Sequence, residues 1–310
     1  MPNVSELTTF LLLGFSDQFN ENMLYFILFL VIYLAALIAN FLIISAVSFH
    51  QQLHTPMYFF LVNLSVVDLG SISVTIPKAM INAFLNTREI SYSGCITQVF
   101  SLFFFLISDL FLLTAMAYDR FIAICDPLHY ETIMDMKVCL QLAAIAWIAG
   151  LLYSALHTCS TFSVTFCSNV LNQFFCEIPQ LLKASCDNSY LIEVGVIAFS
   201  ACIVFPCFGF IIVSYVQIFK SVLRIPTSHG RNKAFSTCFP HLIVVSLFIS
   251  TGSIAYLKPT SDSPSDMDMV ITVLYSVVPP LMNPMIYTMR NRDIKAALWE
   301  MFKCGVTSRN

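Results

Sequence analysis

The chain has 310 residues, of which 58% are hydrophobic and only 11% are charged, whereas about 25% are charged in a typical soluble domain. This composition excludes an ordinary water-soluble domain, and the length suits one compact domain embedded in a membrane. A net charge of −3 offers no basic surface to nucleic acid. The 11 cysteines form neither a CxxC pair nor a Cys/His zinc spacing, and no glycine-rich nucleotide loop occurs.

Seven apolar stretches are long enough to cross a membrane, which requires about 20 residues. In chain order, the predicted spans are residues 24–48, 57–85, 99–124, 138–157, 194–223, 234–257 and 269–289. The chain therefore divides into an N-terminal segment (1–23), a transmembrane domain (24–290) and a C-terminal segment (291–310). The prediction is an all-α membrane protein, a bundle of seven transmembrane helices.

The distribution of basic residues predicts how the bundle is oriented. Lysines and arginines concentrate after the third, fifth and seventh spans, whereas acidic residues dominate the opposite side. Because basic connections stay in the cytoplasm, the N-terminus is predicted to be extracellular and the C-terminus cytoplasmic. Asn3 begins an Asn-Val-Ser sequon, and its glycosylation would require the same orientation.

The segment after Arg290 has the pattern of a short amphipathic helix. Its apolar residues group on one side and its charged residues lie elsewhere, which is typical of a helix lying on the lipid surface. Cys304, near its end, is either a palmitoylation site or a plain surface thiol.

Two carboxylates lie deep inside predicted spans, Asp68 in the second and Asp109 in the third. A lone carboxylate in hydrocarbon costs roughly 2.5–3.5 kcal/mol on insertion scales, so each is expected to have a partner. The two acids could share a proton or hold a small cation such as Na⁺. The alternative is that both are simply protonated and hydrogen-bonded.

One face of the third span carries an apolar outer part, a buried acid and a cytoplasmic arginine. Its members follow i, i+3 or i+4 spacing and are Leu102, Leu106, Asp109, Leu113, Met116 and Arg120. Such a stripe is more often a packing surface, but the buried acid and the terminal arginine favour signalling. Asp119 and Arg120 either mark the end of the helix or form a switch, since an arginine there can reach the interface or pair inward.

Several motifs lie at the cytoplasmic ends of the spans. Residues 116–130 read MAYDRFIAICDPLHY, 233–241 read KAFSTCFPH, 279–287 read PPLMNPMIY, and Ser214-Tyr215 lies near the inner end of the fifth span. Together they resemble the signature of the olfactory receptors, a family of rhodopsin-like G-protein-coupled receptors. Matching motifs occur along nearly the whole chain.

The resemblance implies an odorant receptor in the plasma membrane that binds small, mostly apolar volatile molecules between the third, fifth and sixth spans. It would activate a stimulatory heterotrimeric G protein and raise cAMP, and it could need a chaperone to reach the surface. The implied ligand contacts are Leu102, Phe103, Leu106, Ile107, Phe199, Ser200, Ile203, Ile249, Gly252, Ser253 and Tyr256. The implied switch and coupling residues are Asp119, Arg120, Tyr215, Lys233, His241, Asn283, Pro284 and Tyr287. Ile249 stands where many members carry tyrosine, which makes the pocket floor more aliphatic.

The same resemblance implies two disulfide bonds in the second outer loop. Cysteines on the oxidising side of the membrane are expected to pair, but their spacing alone does not determine which ones. In the pattern of the family, Cys95 pairs with Cys176, and Cys167 with Cys186.

Other functions are weaker interpretations of the same residues. The nearest is a non-olfactory rhodopsin-like receptor for an amine or a peptide. An amine site would want an acid high in the third span, where this chain has Leu102. A proton- or ion-coupled carrier built on Asp68 and Asp109 would transport its substrate without any G protein. An enzyme is not expected, because the sequence shows no paired bases, metal ligands or activated nucleophile at a common depth.

Overall fold

The computed structural model describes residues 8–13, 18–186, 190–224, 227–257 and 266–307. Within these ranges it describes the backbone only at 190–193, 228–229, 233–234, 236–237, 251–257, 266–269, 271–272, 289–290, 302 and 304–307. The α-helices of the described part are α1 (Phe19–Phe49), α2 (Pro56–Leu85), α3 (Tyr92–Cys125), α4 (Tyr130–Ile133), α5 (Met136–Phe162), α6 (Ile178–Lys183), α7 (Tyr190–Leu223), α8 (Ser228–Leu257), α9 (Asp266–Arg290) and α10 (Arg292–Thr307). A 3-10 turn, Gln51–Leu53, joins α1 to α2.

Seven of these helices coincide with the seven predicted spans, and they are α1, α2, α3, α5, α7, α8 and α9. Five of them contain stretches that are long and apolar enough to cross a membrane, while the described apolar part of α8 covers Cys238–Ser250. Their outward side chains are apolar, as Phe205, Leu152 and Ile38 show at 71%, 65% and 59% exposure. Such surfaces suit contact with lipid, and the predicted all-helical membrane fold is confirmed. The orientation of the termini stays a prediction.

Several helices extend beyond the apolar runs that predict them. α3 begins at Tyr92, seven residues before the predicted span, because the Ser91 hydroxyl accepts a hydrogen bond from the Gly94 amide at 3.1 Å. α5 begins in the same way, with the Asp135 carboxylate accepting from the Val138 amide at 2.8 Å. Hydropathy therefore predicts the part of a helix that lies in lipid, whereas polar caps decide where the helix starts.

A small β-sheet at one end of the bundle is absent from the sequence prediction. Its strands are β1 (Thr9–Leu12), β2 (Glu89–Ser91) and β3 (Val170–Leu171). The N-terminal strand β1 is the central one, antiparallel to β2 and parallel to β3. Phe10 is fully buried and stacks on Tyr92 at 5.8 Å. The N-terminal segment is thus part of a layer that covers this end of the bundle, tying together the loops before α3 and after α5.

Two disulfides hold the long connection between α5 and α7. Cys95 is joined to Cys176, and Cys167 to Cys186, which are the pairs implied by the resemblance. The first bond fastens the middle of this loop to the start of α3.

α3 and α5 approach each other closely at Gly150. A Cβ atom added there would lie 2.3 Å from the Ser108 hydroxyl oxygen and 2.7 Å from the Phe104 carbonyl oxygen. The hydroxyl can rotate away, but the carbonyl belongs to the backbone of α3. Small residues allow this kind of close approach between membrane helices.

Replacing Gly150 with alanine is therefore expected to destabilise the protein, because overpacking a tight contact costs about 1–3 kcal/mol. Surface expression, measured by flow cytometry, and thermal stability in detergent should both fall. Gly209→Ala is the matched control, since nothing lies within 4 Å of a Cβ added at that helical position. Equal behaviour of the two variants would contradict the close contact.

Candidate functional site

The inner end of α3 holds a buried ion pair. Asp119 is fully buried. Its Oδ2 atom accepts a hydrogen bond from Nε of Arg120 at 2.9 Å and a second one from Nη2 of the same guanidinium. The other carboxylate oxygen accepts from the Tyr130 hydroxyl at 2.7 Å. Burial, and then the negative charge of Asp119, raise the pKa of the Tyr130 phenol, so it stays protonated and donates at neutral pH. Both oxygens of the Asp119 carboxylate therefore have a hydrogen-bond donor.

A second set of hydrogen bonds joins three helices just above this pair. The Tyr215 hydroxyl on α7 lies 2.6 Å from Nδ1 of His241 on α8, and Nε2 of the same ring lies 3.0 Å from the Leu113 carbonyl oxygen on α3. A carbonyl only accepts, so Nε2 carries the proton and Nδ1 accepts from Tyr215. One neutral imidazole thus ties α8 to both α3 and α7.

The two intramembrane acids lie at the middle of the bundle. Asp68 is 2% exposed, and both its oxygens accept from Nδ2 of Asn283 on α9, at 3.1 and 3.2 Å. Asp109 lines the same cavity of about 30 Å³ as Asp68. Among the described residues, Oδ1 of Asp109 and Oδ1 of Asn283 have no hydrogen-bond partner. The space admits a water molecule, and Na⁺ binding there stays a prediction.

α9 meets the rest of the bundle through polar contacts around its prolines. Asn40 of α1 donates to the Pro280 carbonyl oxygen at 3.0 Å. Pro284 lies inside the helix, where it removes one backbone donor and permits a bend. Further along, the Tyr287 hydroxyl lies 4.0 Å from the sulfur of Met116 on α3. The predicted residues of this motif therefore face α2 and α3.

Five of the predicted ligand contacts fall into two groups, and the first faces α8 and α9. Leu102 and Leu106 line the same cavity as the two acids, together with Phe248 of α8 and Tyr275 of α9. The Tyr275 hydroxyl donates to the carboxylate of Glu177 in the outer loop. The loop therefore contacts a wall of the cavity directly.

The second group faces α5. Ser200 of α7 lies 2.7 Å from the Tyr153 hydroxyl and 3.4 Å from Nε2 of His157, both on α5. The Phe103 ring stacks on His157 with 5.4 Å between the ring centroids. Phe199 stacks on Tyr153 at 5.9 Å. Three predicted ligand contacts thus surround two residues that the sequence analysis did not assign.

The remaining predicted ligand contacts either make only apolar contacts or are not fully described. Ile107 is buried, and Ile203 and Ile249 are partly buried among apolar neighbours. Asn3 lies outside the described residues. The structure describes only the backbone at Lys233, Gly252, Ser253, Tyr256 and Cys304.

The second outer loop is anchored by a residue that the sequence analysis missed. Gln98 of α3 accepts from the Cys176 amide at 2.9 Å and donates to the Val74 carbonyl oxygen at 3.1 Å. Gln98, Tyr153 and His157 are all buried polar residues inside apolar helices. Because buried polar groups need partners, this type of residue was the signal that could have identified them.

Comparisons with known proteins agree over the full length. A family model described as olfactory receptor matches residues 29–304. Human olfactory receptor 14A16 is 48% identical over 310 residues, covering 100% of both chains. Human olfactory receptor 14A2 is 48% identical over 299 residues, 96% of this chain and 95% of that protein. Mouse olfactory receptor 4E2 is 42% identical over 297 residues, 96% of each.

This similarity decides between the classes of protein that the sequence left open: receptor, carrier and enzyme. Members of the family are G-protein-coupled receptors rather than enzymes, and they are multi-pass proteins of the plasma membrane. Their ligands are odorants and their signalling partners are G proteins. With a family model covering most of the chain and relatives at nearly half identity over its whole length, the chain belongs to the olfactory receptor family.

Proposed function

We propose that this receptor binds small, mostly apolar volatile molecules between α3, α7 and α8, and that it activates a stimulatory G protein that raises cAMP. The observation that carries the proposal is the set of contacts made by α3. At its outer part, Phe103 stacks on His157 of α5, and the same imidazole lies 3.4 Å from Ser200 of α7. At its inner end, Asp119 holds Arg120. One helix therefore connects the ligand side with the signalling side.

Binding would be driven by burial of apolar surface, which contributes about 25 cal/mol per Å². The apolar side chains around the proposed pocket, such as Phe103 and Phe199, supply that surface. The few hydroxyl groups nearby, Ser200 among them, supply orientation, as is usual for small-molecule pockets.

In this proposal, the arrangement of the structure is the resting state of the receptor. Arg120 is paired with Asp119, and His241 ties α8 to the Leu113 carbonyl. A ligand shifts this state only if it binds the active arrangement more tightly. Movement of α8 away from α3 would break the His241 contact and open an inner cleft, in which a freed Arg120 could bind the C-terminal helix of Gα.

The test is cAMP production in cells that express the chain with an olfactory-type stimulatory Gα, screened against an odorant panel. We expect a concentration-dependent rise with at least one apolar odorant and none in cells without the receptor. Replacing the Gα by an inhibitory type should remove the rise. Confirmed surface expression with no response to any odorant would overturn the proposal.

A further inference from the structure

A compact cluster of aromatic and polar side chains lies between α3, α5 and α7. His157 of α5 is only 1% exposed. Its ring stacks on Tyr153, with ring centroids 4.0 Å apart, and on Phe103, at 5.4 Å. Phe199 of α7 lies 6.1 Å from the same imidazole. The ring is thus held in one position by its neighbours.

The short contacts of Ser200 favour one tautomer of His157. The Ser200 hydroxyl donates its one hydrogen to the Val196 carbonyl oxygen at 2.7 Å. Its oxygen can therefore only accept from the Tyr153 hydroxyl, at 2.7 Å, and from Nε2 of His157, at 3.4 Å. Nε2 of a neutral His157 is then protonated, and Nδ1 carries a bare lone pair.

This lone pair is an unusual feature for a buried atom. Nδ1 of His157 is buried and has no hydrogen-bond partner among the described residues. Buried acceptors nearly always have a donor, and where the protein supplies none, a water molecule or a ligand can do so. Three residues predicted to contact the ligand, Phe103, Phe199 and Ser200, lie around this ring. The ligand is therefore in a position to supply the donor.

We propose that His157 is a specificity-determining residue that accepts a hydrogen bond from the odorant, and that it selects alcohols and phenols over ethers and ketones of the same skeleton. The inference rests on the proposed function as an odorant receptor. An alcohol places its O–H against the Nδ1 lone pair. An ether or ketone would place its own lone pair there, leaving both acceptors without a donor.

The experiment compares cAMP concentration–response curves for matched ligands: alkanols of four to ten carbons and phenols, beside their methyl ethers and the corresponding ketones. One hydrogen bond in a dry site corresponds to about tenfold in affinity. We therefore expect each active alcohol to be about tenfold more potent than its ether in the unmodified receptor.

Three variants separate the acceptor from its surroundings. His157→Phe keeps a stacked ring but removes the acceptor, so alcohol and ether should become nearly equal in potency. Ser200→Ala removes the group that keeps the proton on Nε2, so the proton can move to Nδ1 and ketones should gain potency relative to alcohols. Tyr153→Phe is the matched control, because it leaves the His157–Ser200 bond in place and should preserve the preference for alcohols.

The outcomes distinguish this inference from the proposed function. Equal potency of alcohols and ethers in the unmodified receptor would overturn the inference while the receptor still signals. A preference unchanged in His157→Phe would do the same. If that variant does not reach the surface, the ketone response of Ser200→Ala decides. A surface-expressed receptor that responds to no odorant would overturn the proposed function and the inference with it.

Discussion

Replacing Arg120 with alanine is expected to reduce odorant-dependent cAMP production to background without changing the amount of receptor at the surface. Arg120 is the cation that ends the stripe on α3, and in the structure it is paired with Asp119. Once released, a guanidinium can bind the carbonyl groups at a helix C-terminus, where the helix dipole favours positive charge. Alanine offers neither the charge nor the donors.

The measurement is a cAMP concentration–response curve with an active odorant, normalised to surface receptor. Lys295→Ala is a matched control, because it removes a basic residue from the exposed face of α10 and should keep most of the response. If the response survived Arg120→Ala, Arg120 would not have the role proposed here. The Tyr130 hydroxyl remains a partner of the buried Asp119 carboxylate in this variant, and normalising cAMP to surface receptor separates a signalling defect from lost expression.

Replacing His241 with phenylalanine should have the opposite effect and raise cAMP in the absence of any odorant. The change removes both hydrogen bonds of the imidazole, the one to the Leu113 carbonyl and the one from Tyr215. Each is worth about 0.5–1.5 kcal/mol of net stabilisation. Because both bonds link α8 to its neighbours, about 1–3 kcal/mol of restraint is lost in total, and the active arrangement should be favoured by about five- to 150-fold.

Basal cAMP per surface receptor is the quantity to measure. Tyr215→Phe removes only one of the two bonds, so its basal activity should lie between that of the unmodified receptor and that of His241→Phe. Unchanged basal cAMP in a well-expressed His241→Phe variant would show that these bonds do not restrain α8.

The predicted spans and the helices agree because of a strong physical constraint. In hydrocarbon every backbone polar group must be paired within the segment, so a long apolar run has to be a helix. The runs at 57–85 and 194–223 therefore end at the same residues as α2 and α7. α3 begins seven residues before the apolar run at 99–124, since Ser91 caps it in a polar segment that hydropathy does not record.

The outer sheet could not be predicted in the same way. Strands of two to four residues carry no periodic signal, and their pairing depends on segments far apart in the chain. Phe10 is buried against Tyr92, the first residue of α3, and Phe166, in the connection after α5, which are far from it in sequence. The sequence of the N-terminal segment by itself shows a short apolar run, and nothing in that run predicts a strand.

For the candidate site, the sequence determined which residue types were available and which helix carried them. A carboxylate or an arginine in an apolar span needs a partner, so Asp68, Asp109, Asp119 and Arg120 could be singled out without coordinates. The hydrogen-bond partners of these residues could not all be identified from the sequence. Asp68 proved to be hydrogen-bonded to Asn283, and Asp119 to both Arg120 and Tyr130.

Tertiary structure alone decided how the predicted ligand residues are shared between two regions. Leu102 and Phe103 are neighbours in sequence, yet Leu102 lines the cavity and Phe103 stacks on His157. The 100° turn between successive residues of a helix points them at different partners, and which partners are there depends on helix packing. The sequence therefore determined the membrane fold and the chemistry carried by each helix, whereas packing decided which of those groups meet.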